Sequence, residues 1–330
     1  MTDLPSWLVA KWRQLQERQS ADRFPHALLL YGPKGLGKNL FADRLGRSLL
    51  CQQPDDYGLP CGGCHACQMC DAETHPDLRW VQPEEQGKAI RIDTVRELCT
   101  HLTLKAQFGA YKVAIVSPAD RMNIAASNAL LKTLEEPPAD TLLILVTARP
   151  AYLPATIRSR CQALAFVPPD RQKAVQWLRE RGVENADSLL AIAHDAPFLA
   201  EKLSASDCIA QRRQLLHTVS DIRAGSTDLV ATAANYAKQE GNSVCSWMLS
   251  YVTDMIRLKL VADPPRLSNE ECRAVLEQLA GSFTHAELFA LQDALVVALR
   301  LLETPINAQL LLEDLFMYWK TDAKKAVGER

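Results

Sequence analysis

Short apolar runs alternate with amphipathic segments through the first half of the chain. The apolar runs cover residues 26–32, 78–83, 112–118, 141–148 and 162–166. Continuous apolar runs of this length are typical of strands that are buried on both faces of a parallel sheet. Apolar residues at helical spacing fill residues 39–51, 93–102 and 123–138. Strands that alternate with helices predict an α/β domain with a parallel sheet.

Two of these helices carry recognisable boundary signals. Asp93 is predicted to cap the helix over 93–102, and Asn123 is predicted to cap the helix over 123–138, because short polar side chains accept hydrogen bonds from free N–H groups at a helix start. Pro137 and Pro138 are expected to end the second helix, since proline cannot continue one.

The strand signal stops after residue 167, and only helical patterns follow. A short helical region reaches about Cys208, and longer amphipathic helices are predicted over 210–223, 243–261, 285–303 and 307–320. A chain of 330 residues exceeds one ordinary core. We therefore predict an α/β domain at 1–167, a small helical domain at 168–208 and an all-helical domain at 209–330.

Composition narrows the class of protein. The chain is 48% hydrophobic and 23% charged, with a net charge of −2, so no overall positive field attracts it to nucleic acid. No uncharged apolar stretch reaches the length of about 18 residues that a membrane helix needs. The first residues lack the basic and apolar regions of a secretory signal. These features predict a cytoplasmic protein, in which the ten cysteines are not expected to form disulfides.

A glycine-rich stretch follows the first predicted strand and opens a helix. Its glycines and lysine fit the phosphate-binding pattern G-x-x-x-x-G-K at Gly32, Gly35, Gly37 and Lys38. Glycines let backbone N–H groups approach phosphate oxygens, and the lysine reaches the outer phosphates. The next residue is Asn39, where the pattern requires a Ser or Thr hydroxyl for Mg²⁺. The stretch predicts a degenerate phosphate loop.

The strand over 112–118 is interpreted as the neighbouring strand that should end in a metal-binding acid. It ends in Ser117 and Pro118, and Asp120 comes three residues after the expected position. Hydrolysis needs a metal held by both the loop hydroxyl and that acid. We therefore expect no ATP turnover, while nucleotide binding without hydrolysis stays open. A hydrolysing ATPase with an atypical loop is the alternative.

Five cysteines lie within twenty residues: Cys51, Cys61, Cys64, Cys67 and Cys70. The last four form three overlapping C-x-x-C units. Clustered cysteines in a cytoplasmic chain predict a metal site, and four thiolates suit structural Zn²⁺. Free thiols, a redox pair and an iron–sulfur cluster are the alternatives. Spacing does not decide between Cys51 and Cys70 as the fourth ligand, and His65 and His75 are less favoured candidates.

Two further motifs, NALLKTLEEPP at 128–138 and TIRSRC at 156–161, complete a recognisable set. Together with the glycine loop and the cysteines, they resemble the clamp-loader subunits of bacterial replicative DNA polymerase III. NAQLLLEDL at 307–315 is a weaker match. The resemblance implies an AAA+ nucleotide-fold domain, a helical lid at 168–208 and a helical collar at 209–330.

The resemblance also implies a zinc ligand set. Members of that family carry one cysteine, a gap of about nine residues, and then C-x-x-C-x-x-C. Carried over, this pattern selects Cys51, Cys61, Cys64 and Cys67 as ligands in a module over about 51–75, and it leaves Cys70 as a buried thiol.

Within that family, the altered loop resembles the subunit type that does not hydrolyse ATP. The lid segment 193–203 has Phe198 where the motor subunits carry an arginine. Arg160 of TIRSRC then resembles an arginine finger, which stabilises charge on the phosphoryl group in a neighbour's site. Arg158 is the fallback, and an ordinary surface ion pair is the simpler interpretation of Arg160.

The implied partners are motor subunits of the gamma/tau type and a delta-type subunit in a hetero-pentamer, with the sliding clamp and primed DNA reached through the complex. The helix over 128–138, with Lys132 and Glu135 on its polar side, is expected to lead toward the subunit interface. A zinc-dependent DNA-binding module is the second alternative, although no basic face interleaved with aromatic residues surrounds the cysteines.

Overall fold

A parallel sheet of five strands organises the first part of the chain. The computed structural model describes residues 4–21, 23–85, 88–109, 111–238, 241–261, 263–264, 266–302, 304 and 306–320. The chain divides into two compact units. One runs to Trp177 and includes Ala196–Leu199, and the other consists of Leu178–Asp195 and the chain from Ala200 onward. The division falls inside the predicted lid, so a separate domain at 168–208 stays a prediction.

All five predicted strands are confirmed. They are β1 (Ala27–Tyr31), β2 (Leu78–Val81), β3 (Lys112–Val116), β4 (Thr141–Thr147) and β5 (Gln162–Ala165). The sheet order is β2-β3-β4-β1-β5, and every pair is parallel. The prediction that β3 is the direct neighbour of β1 was wrong, because β4 lies between them.

Helices cover both faces of this sheet. The first unit contains α1 (Ser6–Ser20), α2 (Lys38–Leu50), α3 (His65–Asp71), α4 (Ile92–Thr103), α5 (Ile124–Glu135) and α6 (Ala155–Arg158), and its boundary falls within α7 (Arg171–Glu180). Alternate residues of each strand separate the two faces. Leu29, Val116 and Leu145 share a core with α4 and α5, while Val113 and Ile115 approach Gly46 of α2 on the other face. The sheet is buried on both sides, which explains the continuous apolar runs.

The two predicted helix caps have different outcomes. Asn123 caps α5, and its side chain accepts a hydrogen bond of 2.7 Å from the Ala126 N–H. Asp93 is not a cap, because α4 begins at Ile92 and the capping position belongs to Arg91. Asp93 instead lies in the first turn, where a carboxylate is favoured by the positive end of the helix dipole.

The described residues of the second unit form helices joined by loops and include no strand. It contains α8 (Ala186–Ile192), the later part of α9 (Pro197–Ser204), α10 (Cys208–Ala224), α11 (Leu229–Ala237), α12 (Gly241–Leu260), α13 (Arg273–Gly281), α14 (His285–Leu301) and α15 (Ala308–Lys320). The four predicted long helices correspond to α10, α12, α14 and α15, while α11 and α13 were not predicted.

A buried polar network fixes α12 within this helical core. Asp254 is fully buried, and its carboxylate accepts hydrogen bonds from the Asn269 backbone N–H at 2.9 Å and side-chain amide at 2.7 Å. Asn269 also accepts from Arg212, which donates to Ser250 at 3.0 Å. Every group in such a network needs its partner when water is excluded, so the network fixes how these segments pack.

The helices in the described part of the chain include none that is long and apolar enough to cross a membrane.

Candidate functional site

The glycine-rich loop joins β1 to α2, as the sequence predicted. Gly37 is the residue before α2 and has a φ of 88°, while Gly32 has a φ of 138°. A side chain at Gly32 would also overlap the backbone carbonyl of Phe166. The loop therefore needs glycine for its own backbone geometry, because residues with a Cβ atom rarely adopt these angles.

A segment from later in the chain packs onto this loop. The Phe198 N–H donates a hydrogen bond of 3.0 Å to the Gly35 carbonyl. A Cβ atom placed on Gly35 would lie 2.5 Å from Cβ of Leu199, and one placed on Gly37 would lie 2.7 Å from Cε2 of Phe198. These two glycines therefore leave room for the chain's own residues 196–199.

Two tryptophans fix the position of the Phe198 ring. The ring centroid lies 4.9 Å from that of Trp177 and 6.3 Å from that of Trp7 in α1. Such tilted and edge-on contacts stabilise aromatic clusters beyond the area that they bury. Phe198, predicted to replace the lid arginine, lines the same cavity as Lys38 and Asn39.

The loop lysine bonds to its own loop. Lys38 is buried, and its Nζ donates to the carbonyls of Gly32 at 2.7 Å and Pro33 at 2.6 Å. Burial lowers the pKa of Lys38 from its usual 10.5 to about 8, against the opposing attraction of Asp120. Two of the three ammonium protons are thus used within the loop.

The two residues that replace the expected metal ligands bond to each other. Ser117, which follows β3, donates a hydrogen bond of 2.8 Å from its Oγ to Oδ1 of Asn39 at the start of α2. The sheet order brings the end of β3 to the phosphate loop although the strands are not adjacent. A neutral pair of this kind supplies no negative charge to a divalent cation.

The nearby acid is also occupied. Asp120 accepts from the Thr147 hydroxyl at 2.6 Å and from Nε of Arg149 at 2.9 Å, and its side chain is 4% exposed. Asp120 is the only acid among the described residues that line this cavity of about 420 Å³. The cavity therefore does not fit a Mg²⁺–ATP complex in the usual arrangement, in which an unpaired carboxylate and a hydroxyl hold the metal.

The predicted cysteine ligands converge at the other end of α2. The sulfur atoms of Cys51, Cys61, Cys64 and Cys67 all lie within 4.8 Å of one another. Individual Sγ–Sγ distances are 3.8 Å for Cys51–Cys64, 4.0 Å for Cys61–Cys67 and 3.7 Å for Cys51–Cys67. Thiolates about 2.3 Å from a tetrahedral zinc ion are about 3.8 Å apart. The cluster is therefore compatible with structural zinc.

Local structure explains why these four thiols meet. Cys51 is the first residue after α2, and Cys64 is the residue before α3, which carries Cys67. The Cys61 N–H points to the Cys51 sulfur at 3.3 Å, and the Cys64 N–H points to the Cys61 sulfur at the same distance. Backbone N–H groups directed at sulfur favour the thiolate form that binds metal.

The remaining candidates lie outside this group. Cys70 is buried, and burial raises the pKa of its thiol to about 11, which keeps it protonated at neutral pH. His75 is buried too, and its Nδ1 accepts from the Asp77 N–H at 3.1 Å. His65 packs against the Phe108 ring, at 6.1 Å between centroids.

Arg160 lies in the turn between α6 and β5. Its Nη2 is 2.7 Å from Oε1 of Glu135, and its Nη1 donates to the Thr156 carbonyl at 3.0 Å. The Arg160 side chain is 35% exposed and that of Glu135 is 52% exposed. Arg158, the fallback candidate, is exposed. Arg160 therefore forms a surface ion pair, as its simpler interpretation predicts, and its side chain also remains partly accessible.

The strand order, with a phosphate loop after its first strand and helices on both faces, defines an AAA+ nucleotide-fold domain followed by helices. A family profile described as "DNA polymerase III, delta subunit" matches residues 9–170, and one described as "DNA polymerase III, delta subunit, C terminal" matches residues 206–321. The chain therefore belongs to a family of DNA polymerase III subunits.

Two relatives show that this family is that of the DNA polymerase III delta-prime subunits, to which the chain belongs. The chain is 35% identical to DNA polymerase III subunit delta' of Pseudomonas aeruginosa over 97% of its length and 98% of the relative's. It is 33% identical to the Escherichia coli subunit delta' over 94% of the chain and 93% of that protein. Among solved structures, a gamma subunit-related protein of Thermotoga maritima aligns over 93% of this chain and 98% of that one, with 18% identity and a TM-score of 0.40.

Sequence reasoning missed several residues of the phosphate-loop cavity. Thr147 is the last residue of β4 and Arg149 lies two residues later, and both bind Asp120. Side chains that follow the carboxyl ends of neighbouring parallel strands meet at one edge of the sheet, and this rule could have found both. No sequence pattern indicated that Trp7 contacts Phe198.

Proposed function

We propose that this chain is the non-hydrolysing subunit of a bacterial clamp loader. Its membership of the delta-prime family supports the clamp-loader role, and the phosphate-loop cavity supports the absence of hydrolysis. In this role the chain holds its place in the ring through its helical second unit and helps to load a sliding clamp onto primed DNA. A cytoplasmic location accompanies this proposal.

The hydrogen bond between Ser117 and Asn39 carries the proposal of inactivity. Both side chains stand where hydrolysis requires metal ligands, and each satisfies the other. Asp120 is held by Thr147 and Arg149, so it is not a substitute for the missing acid. Without a metal between the β- and γ-phosphates, the charge that develops during phosphoryl transfer is not neutralised.

A phosphate-release assay on the purified chain tests this part of the proposal. We expect no turnover above background with ATP and Mg²⁺, and no change on Lys38→Ala. Turnover that Lys38→Ala abolishes would establish the alternative, a hydrolysing ATPase with an atypical loop. Equilibrium dialysis with labelled ATP would measure binding separately, because a chain that does not hydrolyse ATP could still bind it.

We propose that Cys51, Cys61, Cys64 and Cys67 hold one structural zinc ion, because their sulfur atoms have the mutual distances that tetrahedral ligation requires. When bound, the ion cross-links the end of α2, the following loop and α3. Four thiolates leave no ligand position for a substrate, so the ion supplies no reaction chemistry.

We propose that Arg160 acts on ATP bound by a neighbouring motor subunit. Its accessible guanidinium, beside the α5 helix that resembles an interface element, supports this role. The partners in this proposal are motor subunits of the gamma/tau type and a delta-type subunit in a hetero-pentamer. An arginine supplied by a neighbour accelerates phosphoryl transfer by roughly 10³–10⁵-fold in other systems.

Reconstituted complexes test Arg160. We expect Arg160→Ala to assemble normally but to lower clamp-stimulated ATP hydrolysis, and we expect Arg160→Lys to fail as well, because an ammonium cannot make the planar two-pronged contact. Arg158→Ala is the matched control for loss of a nearby positive charge. Wild-type rates with Arg160→Ala in intact complexes would exclude Arg160, and a loss with Arg158→Ala alone would transfer the role to Arg158.

A further inference from the structure

The ion pair between Arg160 and Glu135 joins two otherwise separate motifs. Glu135 is the last residue of α5, in the segment NALLKTLEEPP, and Arg160 belongs to TIRSRC. Nη2 of Arg160 lies 2.7 Å from Oε1 of Glu135, while Nη1 bonds to the Thr156 carbonyl at 3.0 Å. The guanidinium is thus held from two sides, by a carboxylate and by a backbone oxygen.

We propose that Glu135 is the positioning residue for Arg160, which orients the guanidinium toward the neighbour's phosphate. This inference rests on the proposed function of Arg160. An arginine side chain is long and flexible, and it loses rotamer entropy when it is fixed to a ligand. Contacts that already fix it in the free subunit reduce that loss at the moment of reaction.

The contacts also leave donors for a phosphate. A guanidinium has five N–H groups, and the two contacts use one on each terminal nitrogen. Three N–H groups are therefore free of these two partners, and 35% of the side chain is exposed. The two contacts fix the orientation of the Arg160 guanidinium without covering it, as a positioning role requires.

The backbones that carry the pair are themselves fixed. On α5, Leu130 and Leu134 are buried in the sheet core, and on α6 Ile157 is fully buried in the same core. The distance between the Glu135 and Arg160 backbones is therefore set by rigid elements, as precise sites need.

Glu135 has an electrostatic reason to keep this partner. A carboxylate at the C-terminal end of a helix lies at the negative end of the helix dipole, where a negative charge is unfavourable. The Arg160 guanidinium offsets that repulsion. The adjacent Glu136 is exposed and has no ion pair within the part of the chain that the structure describes, so the role is specific to Glu135.

A double-mutant cycle in the reconstituted complex tests this proposal. Complexes with Glu135→Ala, Arg160→Ala and both changes are assayed for clamp- and DNA-stimulated ATP hydrolysis, with kcat and KM for ATP determined separately. We expect Glu135→Ala to lower kcat about fivefold and to change KM by less than about twofold, in the range of coupling found for contacting residues. Glu135→Gln should retain part of the activity, since its amide oxygen accepts the same hydrogen bond without the charge.

The matched control is Glu136→Gln, which removes the same charge one residue away and should leave kcat unchanged. In the Arg160→Ala background, Glu135→Ala should have no further effect, because its action passes through Arg160. Assembly of every variant is verified by gel filtration, and little change is expected because exposed ion pairs contribute little to stability.

Each other outcome overturns the proposal. A similar loss from Glu135→Ala in both backgrounds would show that Glu135 acts independently of Arg160, and an increase in kcat would show that it restrains Arg160. If Arg160→Ala lowers kcat but Glu135→Ala does not, only the positioning role fails. Wild-type rates with Arg160→Ala would exclude the arginine finger itself and Glu135 with it.

Discussion

The cysteine cluster and the phosphate loop lie at opposite ends of α2, and they differ in how their polar groups are satisfied. In the cluster, four thiols converge on one another and two backbone N–H groups point to sulfur. In the loop, Lys38 bonds to its own carbonyls, and Asn39 bonds to Ser117. Both stretches contain residue types that bind ligands in other proteins, at the spacing of a known binding motif. Only in the cluster do their atoms converge around one point that a ligand could occupy.

The difference shows what a motif does and does not determine. Residue types and spacing determine where a backbone turns and which side chains lie near one another. Whether those side chains are available to a ligand depends on what the rest of the fold supplies. Residues 196–199 cover Gly35 and Gly37. Arg149 binds the carboxylate of Asp120, the acid that lines the cavity.

The largest expected effect comes from removing a cysteine ligand. Cys64→Ala should abolish binding of the one zinc ion that we expect to co-purify, and residues 51–75 should become loose while the sheet persists. Structural zinc contributes on the order of 10–16 kcal/mol of apparent binding energy in small modules. Elemental analysis with hydrogen exchange measures both effects, and Cys70→Ala is the control that should keep the metal. Iron in place of zinc, or zinc loss on Cys70→Ala, would refute this assignment.

Alanine substitutions at two glycines with nearly the same backbone angle allow a direct comparison of packing at the two ends of α2. Gly35 has a φ of 75° and Gly62, in the cysteine loop, has a φ of 73°. A Cβ on Gly35 meets Leu199 at 2.5 Å, whereas a Cβ on Gly62 has nothing within 4 Å. Alanine at either position should cost about 1–2 kcal/mol from the left-handed backbone, and at Gly35 about 1–3 kcal/mol more from overpacking.

Urea unfolding of Gly35→Ala and Gly62→Ala, at equal zinc content, measures this difference. Equal losses of unfolding free energy would mean that residues 196–199 do not pack on the phosphate loop.

A smaller effect is expected for the pair that replaces the metal ligands. Asn39→Ala and Ser117→Ala should each lower the unfolding free energy by about 1 kcal/mol, as loss of a partly buried hydrogen bond does. The double variant should lose less than the sum, because the second change removes a group that has already lost its partner. Additive losses in a thermal or urea unfolding series would contradict the pairing of Ser117 with Asn39.

The last expected effect is a pH dependence of stability from Lys38. Its pKa is lowered by burial from 10.5 to about 8, so between these values the unfolded chain binds a proton that the folded chain does not. Stability must then rise with pH across this window. We expect the unfolding free energy of the wild-type chain relative to Lys38→Met to increase from about pH 8 to pH 10.5, and to be flat below pH 8. No change across the window would show that Lys38 keeps its proton in the fold.

The sequence predicted those features whose cause is local. The five strands follow from continuous apolar runs, and the cap at Asn123 follows from a side chain that reaches its own helix. The four convergent cysteines span only residues 51–67, so their meeting depends on one loop and two helix ends. The helices α11 and α13 were missed because they are short and their apolar faces are completed by neighbouring helices.

Features with distant causes were not predictable in the same way. Asn39 and Ser117 are 78 positions apart, and their hydrogen bond depends on the strand order. The loop glycines matched a phosphate pattern, yet their close neighbours include Leu199 and Phe198, which come from a different part of the chain. A pattern of residues indicates the chemistry that is possible at a site, and the tertiary contacts determine whether it is available.

The two ends of α2 also differ in the length of the chain segment that must fold back before the native contacts of that end can form. The cysteines need only the loop from 51 to 67, whereas the loop at Gly35 is covered by Leu199 and the β1–β4 pairing joins Leu28 to Ile144. Longer closures cost more chain entropy and slow folding. We expect the cysteine end of α2 to become protected first during refolding with zinc and the phosphate-loop end last. Pulsed hydrogen exchange would detect that order, and simultaneous protection of both ends would show that α2 forms only with the whole sheet.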